Sequence, residues 1–134
     1  MRQSEAEKRG LKPIAKIVSA AAHAHAPAYF TTAPVFAMKK ALEKAGWGVK
    51  DVDLFEINEA FAVVPMIAMK DLGIGHDIIN VNGGACALGH PIGASGARIM
   101  TTLIAALEAR GAKRGMASLC IGGGEATAVA LEFM

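Results

Sequence analysis

The sequence predicts an α/β fold with three layers, α/β/α, built around a five-stranded mixed sheet. Short runs of β-branched and small apolar residues alternate with longer segments of helical periodicity. Such alternation is typical of a mainly parallel sheet with helices on both faces. Three consecutive glycines, 122–124, separate the last two apolar runs and predict a hairpin, so we expect the final strand to be antiparallel.

The first half of the chain is predicted to contain two helices and two strands. Ser4 and Glu7 have the spacing of a capping box, which predicts a short helix that ends at Gly10. Pro34 near the start and Gly46 at the end bound a second helix with one apolar face. In chain order, the predicted elements cover residues 4–9, 14–22, 34–45 and 52–57.

The second half is predicted to add two helices and three strands. Asn58 is expected to cap the next helix, Pro65 to kink its early turns, and Gly73 to end it. The apolar residues of the last helix cover a wide arc, which predicts that it is largely buried. In chain order, these elements cover residues 61–72, 78–81, 94–110, 116–121 and 126–133.

The composition describes one apolar globular domain and excludes several classes of protein. The 134 residues are 53% hydrophobic and 19% charged, which is too apolar for disorder. A net charge of +2 and 5% aromatic residues give no sign of a nucleic-acid surface, and no apolar run reaches membrane-spanning length. The first nine residues carry charges and no apolar h-region, so we expect no secretory signal. Two cysteines form no disulfide framework, so we expect free thiols and a cytoplasmic location.

Three segments with chemical potential each follow the end of a predicted strand. They are residues 58–62, the glycine-rich run 83–98, and residues 120–124. Ligands bind at the carboxyl edge of open α/β sheets, so these segments are expected to meet in space.

The residue types in these segments indicate acyl-transfer or carbanion chemistry on a thioester or carbonyl. His90 offers an imidazole, the side chain most often used as a general base, and is held extended by the proline that follows it. Cys120 offers a thiol, Asn58 an amide, and Gly122 an unhindered N–H for a developing oxyanion. Taken singly, Asn58 is also explained as a helix cap and His90 as a satisfied polar residue. Cys86 is expected to be a small buried hydrophobe.

Metal and nucleotide sites are disfavoured. His23 and His25 alternate along an extended segment without a cysteine or carboxylate cluster, so we expect no metal there. The glycines of the run fit neither a dinucleotide-binding nor a P-loop pattern. For Glu59 and Glu125, structural roles are favoured over a paired-carboxylate site.

Three motifs together resemble the C-terminal domain of thiolases, most closely the biosynthetic type. They are Asn-Glu-Ala-Phe at 58–61, the glycine run with Gly-His-Pro-Ile-Gly at 89–93, and Cys-Ile-Gly-Gly-Gly at 120–124. The resemblance covers residues 11–134 and leaves 1–10 as a short helical lead-in. It implies reversible condensation of two acetyl-CoA to acetoacetyl-CoA and CoA, an acetyl-CoA C-acetyltransferase activity.

The resemblance also implies roles for individual residues. His90 would activate a nucleophilic cysteine, Cys120 would remove the α-proton of the second substrate, and Asn58 and Gly122 would serve two oxyanion holes. Phe30, Ala60 and Phe61 would contact the substrate. No cofactor is implied beyond coenzyme A thioesters as substrates, and no metal. Phe30 stands where many relatives have methionine, which leaves the acyl-chain preference open.

The nucleophilic cysteine belongs to the family's N-terminal domain, so we expect no turnover from these 134 residues alone. The partners implied are that domain and further copies in a dimer or tetramer, with exposed apolar faces where they meet. Two alternatives stay open. One is a degradative 3-ketoacyl-CoA thiolase of fatty-acid oxidation, and the other is a non-catalytic thiolase-like module that binds acyl-CoA or lipid.

Overall fold

A computed structural model describes all 134 residues and contains a four-stranded mixed sheet between two helical layers. The strands are β1 (Ala15–Ala24), β2 (Leu54–Ile57), β3 (Arg114–Ile121) and β4 (Glu125–Phe133). The α-helices are α1 (Gln3–Lys8), α2 (Ala33–Ala45), α3 (Val63–Leu72), α4 (Ala85–Leu88) and α5 (Ser95–Arg110). Short 3₁₀ turns cover Pro27–Thr32, Val49–Asp51 and His76–Ile78.

The strands lie in the order β1-β4-β3-β2. β3 and β4 form the hairpin predicted from the three glycines, and β4 pairs antiparallel with β1 as well. Only β2 and β3 run parallel. The expectation of a mainly parallel sheet was therefore wrong, because the hairpin inserts β4 between β1 and β3.

The fifth strand predicted at 78–81 does not form. Ile79 makes a single bridge to Phe55, and Asn80 then turns into the left-handed region with φ of 46°. The side-chain amide of Asn80 accepts from the Ile57 N–H and donates to the Ile57 carbonyl, both at 2.8 Å. A side chain thus satisfies the edge of β2 where a strand was expected, and the sheet ends there.

Each face of the sheet is covered by different helices. α2 and α3 pack on one face, in a cluster that includes Met38, Phe55 and Ile57. α5 packs on the other face through Ile99 and Leu103, which meet Leu54 of β2. The three-layer α/β/α prediction is confirmed. α5 approaches β3 closely, since a Cβ at Gly115 would lie 2.9 Å from the side chain of Leu103.

The helices begin and end close to their predicted bounds, but two cap assignments were wrong. Arg2, rather than Ser4, precedes α1. α3 begins at Val63 after Ala62, so Asn58 does not cap it. Pro65 lies in the first turn of α3, where its missing N–H costs no helical hydrogen bond, and the helix is continuous through it.

Part of the sheet face on the α5 side is uncovered. Ala20 and Ala22 of β1 are exposed there, opposite Val129 and Thr127 of β4. Ile17 of the same strand is 62% exposed. No helix has the length and apolar character that crossing a membrane requires.

Candidate active site

Asn58 and His90 meet at the carboxyl end of β2. The Asn58 N–H donates to the Ser118 carbonyl at 2.9 Å, which extends the ladder with β3 by one residue. This leaves the Asn58 side chain buried, with its Nδ2 3.3 Å from Nε2 of the partly exposed His90. Two residues 32 positions apart in sequence are thereby brought into contact, as the strand-end pattern predicted.

Ser95, the first residue of α5, holds the other side of the imidazole. Its Oγ lies 2.6 Å from His90 Nδ1 and donates to the Pro91 carbonyl at 3.0 Å. Because the hydroxyl has one proton and gives it to Pro91, it accepts the proton of Nδ1. Nε2 is then left with its lone pair directed to the Asn58 amide, which is the tautomer that a base acting through Nε2 requires.

Glu59 fixes the glycine-rich segment in which His90 lies. Its carboxylate accepts from the Asn80 amide and from the Cys86 N–H, each at 3.0 Å. A Cβ at Gly84 would collide with this carboxylate, which explains the glycine. Although partial burial favours the neutral form, these hydrogen bonds and the charge of Arg98 hold the pKa of Glu59 below its ordinary value.

Cys86 is exposed, so its predicted burial was wrong. It lies on α4, a single helical turn whose outer side faces solvent, and it meets Glu59 through its backbone N–H. The surrounding sequence is apolar and predicted burial, but α4 has only one buried residue, Ala85.

A buried ion pair lies behind Asn58. Glu56 of β2 is almost fully buried, and its Oε2 lies 3.3 Å from Nη1 of Arg98 on α5. Burial raises the pKa of Glu56 to about 7, against the opposing effect of Arg98 and with a further contribution from Glu59. Three polar atoms of the pair, Glu56 Oε1 and Arg98 Nε and Nη2, have no hydrogen-bond partner in the protein.

Cys120 lies at the same carboxyl end of the parallel strands β2 and β3, but its side chain is on the opposite face of the sheet. It follows Ser118 by two residues in β3, about 7 Å along the strand. Its side chain belongs to the α2-side core, whereas Asn58 and Glu56 face α5. Burial raises the pKa of the Cys120 thiol. Cys120 makes no side-chain hydrogen bond to His90 or Asn58, so a substrate would have to lie between them.

The glycine turn after Cys120 presents free backbone donors. Gly122 and Gly123 are exposed, and neither N–H has an acceptor in the protein. Gly124 anchors the turn, since its N–H donates to Ile121 and its carbonyl accepts from His25, both at 3.1 Å. Unhindered N–H groups of this kind can stabilise a developing oxyanion.

Phe30 and Phe61 come together near this turn. Their ring centroids are 6.0 Å apart in an edge-to-face arrangement, and Phe30 packs on the core cluster that contains Cys120. Phe61 is 59% exposed, and the neighbouring Ala60 is partly buried. The three residues predicted to contact substrate thus form an apolar rim beside the candidate site.

Comparison with known proteins decides the family. A model described as the C-terminal domain of thiolase matches residues 11–133. The chain belongs to the thiolase family. The resemblance drawn from the three motifs is therefore confirmed.

Curated thiolases with similar sequences are acetyl-CoA acetyltransferases. The protein of that name from Rhizobium meliloti (strain 1021) is 52% identical over 132 residues, and the cytosolic one from Mus musculus is 51% identical. Each alignment covers 98% of this chain. The crystal structure of the Bacillus anthracis acetyl-CoA acetyltransferase matches all of this chain with a TM-score of 0.97 at 42% identity.

The chain spans about a third of the length of these thiolases. It covers 34% of the Rhizobium meliloti protein, 33% of the Mus musculus protein and 34% of the Bacillus anthracis chain. The similarity therefore concerns one domain of these longer relatives.

Four residues of this thiolase domain have roles that the motifs did not reveal. Ser95 orients His90, Asn80 binds Glu59, and Glu56 binds Arg98. The structural role favoured for Glu59 is confirmed by its hydrogen bond with the glycine run. One signal was available for the ion pair. Glu56 interrupts the apolar run Leu54–Ile57, and a charge in a buried strand requires a partner.

Proposed function

We propose that this domain is the catalytic C-terminal part of an acetyl-CoA C-acetyltransferase. It would serve the reversible Claisen condensation of two acetyl-CoA to acetoacetyl-CoA and CoA. One observation carries the proposal: the hydrogen-bonded row Asn58–His90–Ser95 ends at the sheet edge where Cys120 and the free Gly122 N–H also lie. A base, an acid–base thiol and two sets of oxyanion donors are what thioester condensation needs.

In this proposal, His90 prepares the nucleophile. The lone pair on Nε2 accepts the proton of the nucleophilic cysteine that the resemblance assigns to an N-terminal domain. That thiolate attacks the first acetyl-CoA, forms an acyl-enzyme thioester and expels the CoA thiolate, which takes its proton from the Cys120 thiol. Asn58 Nδ2, together with His90, supports the oxygen on which negative charge develops.

Cys120 serves the second half of the reaction. Its thiolate removes a proton from the α-carbon of the second acetyl-CoA, and the resulting enolate attacks the acyl-enzyme carbonyl. The new carbon–carbon bond forms as the enzyme thioester breaks, which returns the cysteine thiolate. Burial raises the pKa of Cys120, so the group rests as a thiol, and the thiolate left when CoA takes its proton is a strong base. The Gly122 N–H lies within the turn that follows Cys120.

The partners belong to the same proposal. The uncovered sheet face with Ala20, Ala22 and Ile17 supports packing against an N-terminal thiolase domain. A homodimer or homotetramer, a cytoplasmic location and a place in fatty-acid metabolism complete it. No cofactor is used beyond coenzyme A thioesters as substrates. The apolar rim of Phe30, Ala60 and Phe61 favours the short acetoacetyl chain over the longer chains of a degradative enzyme.

The test compares the two cysteines in a protein that joins these 134 residues to a nucleophile-bearing N-terminal thiolase domain. Cys120→Ala should lower kcat/KM for acetoacetyl-CoA thiolysis by about 10²- to 10⁴-fold, as is typical of removing a positioned acid–base group. Cys86→Ala is the matched control and should stay within about twofold, since Cys86 is exposed and alanine keeps the backbone N–H that donates to Glu59.

Equal rates for Cys120→Ala and the parent would overturn the assignment of Cys120. A panel of 3-ketoacyl-CoA chain lengths tests the substrate. Comparable kcat/KM on short and long chains would contradict the biosynthetic assignment and favour the degradative alternative. Binding of acyl-CoA without any thiolysis would favour the non-catalytic module.

A further inference from the structure

Two cross-links join β2 to the start of α5, side by side. Glu56 and Asn58 are two residues apart, so their side chains share the face of the strand that looks toward α5. Ser95 and Arg98 are three residues apart and lie one above the other on α5. The outer link runs from Asn58 through His90 to Ser95, and the inner link is the Glu56–Arg98 ion pair.

The inner link is a poor stabiliser by its own geometry. It has one contact of 3.3 Å, and three of its polar atoms lack any protein partner. Burying charges that are incompletely paired costs free energy, and apolar residues of similar volume often serve stability better. The pair therefore needs a reason other than stability for lying where it does.

The position of the Glu56–Arg98 ion pair, between β2 and the first turn of α5, supplies that reason. Further along α5, Leu103 seats the helix against β3, where Gly115 leaves no room for a Cβ. Nothing apolar does the same for the first turn, because the buried side chains there are Ser95 and, one turn on, Ile99. The hydrogen bonds from Asn58 through His90 to Ser95 connect β2 with that first turn. The distance between β2 and the turn therefore determines whether the His90 ring can contact both Asn58 and Ser95.

We propose that Arg98, through its ion pair with Glu56, is a positioning residue that sets the separation between β2 and the first turn of α5, and with it the orientation of the His90 imidazole. The inference rests on the proposed function, because that function gives the orientation of Nε2 its catalytic meaning. The orientation itself is measurable without turnover.

The experiment reads the His90 tautomer by ¹⁵N NMR of the imidazole in the 134-residue chain at about pH 8, above the ordinary histidine pKa. The parent should show the proton on Nδ1. Arg98→Met should shift the ratio toward the Nε2–H tautomer by about fivefold, the ratio that one ordinary hydrogen bond confers. Arg110→Met, the same change at an exposed position of α5, is the matched control and should leave the ratio unchanged.

A double variant separates positioning from structural support. Glu56→Gln combined with Arg98→Met removes both charges, so it should recover thermal stability that Arg98→Met alone loses to the unpaired Glu56. The tautomer ratio should stay shifted in the double variant. Arg98→Lys keeps the charge but loses the planar fork, and it provides a folded variant in which a smaller shift of the same sign is expected.

A parent-like tautomer ratio in both the double variant and Arg98→Lys would overturn the inference. Its failure is distinct from failure of the proposed function, which is decided by thiolysis in the joined protein. A shifted tautomer without thiolysis would leave the positioning role standing and reject the activity. Thiolysis with an unshifted tautomer would do the reverse.

Discussion

The histidine side and the glycine turn of the candidate site are built in opposite ways. On the histidine side, side-chain hydrogen bonds from Asn58, Glu59, Asn80 and Ser95 hold the backbone and the imidazole. The turn after Cys120 has no side-chain hydrogen bond at all among residues 121–125 and leaves two exposed N–H groups free.

The difference reflects what each side offers. A general base must point one lone pair in one direction, which requires side-chain partners around the ring. An oxyanion donor made of backbone needs only a fixed main chain and the absence of a competing acceptor. Substitutions should therefore act through lost partners on the histidine side and through backbone geometry on the turn.

The largest effect on stability should come from the anchor of the turn. Gly124 has φ of 100°, and a Cβ there would lie 3.1 Å from the backbone of Pro27 and closer still to the His25 carbonyl. Gly124→Ala should lower the free energy of unfolding by about 3–4 kcal/mol, through backbone strain and overpacking. Urea unfolding measures it.

Gly122→Ala is the matched control within the same turn. A Cβ there has nothing within 4 Å, so the change should stay within about 0.5 kcal/mol. Equal losses for the two variants would show that the turn is not anchored at Gly124.

A second, somewhat smaller effect concerns pH on the histidine side. The pKa of Glu56 is raised from 4.5 to about 7 by burial, so the folded state holds the proton longer than the unfolded state does. The stability associated with neutral Glu56 is present below pH 4.5 and is lost as pH rises to about 7.

Glu56→Gln should remove this loss, which is on the order of 2–3 kcal/mol across that window. Denaturation of the parent and the variant between about pH 4.5 and pH 8 measures the difference, and taking the difference cancels the other carboxyl groups, Glu59 included. Parallel pH profiles would mean that Glu56 ionises like an exposed carboxyl group.

The smallest effect on stability should come from the Glu59 carboxylate, which holds the glycine run through the Cys86 N–H. A Cβ at Gly84 would displace the Glu59 carboxylate and break its bond with the Cys86 N–H. Gly84→Ala should cost about 1–2 kcal/mol. Gly93→Ala, in the same run but with open space around it, should cost less than about 1 kcal/mol. A larger loss at Gly93 would contradict this role of Glu59.

The sequence predicted the parts of this site that depend on periodicity and strand ends. Helix bounds fell within about two residues, and Asn58 was correctly placed at the carboxyl end of a strand, β2. His90 reaches the same end although its predicted strand is reduced to a single bridge between Ile79 and Phe55. The fifth strand failed because Asn80 takes a positive φ and lends its side chain to Ile57. Hydrophobic periodicity cannot show that a side-chain amide takes the place of a backbone peptide group at the edge of a sheet.

The residues that support the site, Glu56, Arg98 and Ser95, could not be predicted from the sequence for a different reason. Glu56 and Arg98 are 42 residues apart, so a charge within an apolar strand indicates that Glu56 needs a partner but does not identify Arg98 as that partner. Ser95 lies at the start of a helix, where a serine is expected as a cap, yet its hydroxyl serves His90. Local patterns assign such residues to local tasks, whereas their partners are set by the packing of β2 against α5.

The pairing of β1 with β4 has a consequence for how the chain folds. β1 pairs only with β4, which is distant in sequence, and Ala15 lies opposite Phe133. During synthesis the sheet cannot close until β4 has left the ribosome, so β1 remains unpaired with its apolar side chains exposed until then. A truncation that removes part of β4 would deprive β1 and β3 of their shared neighbour at once, and aggregation would compete with folding.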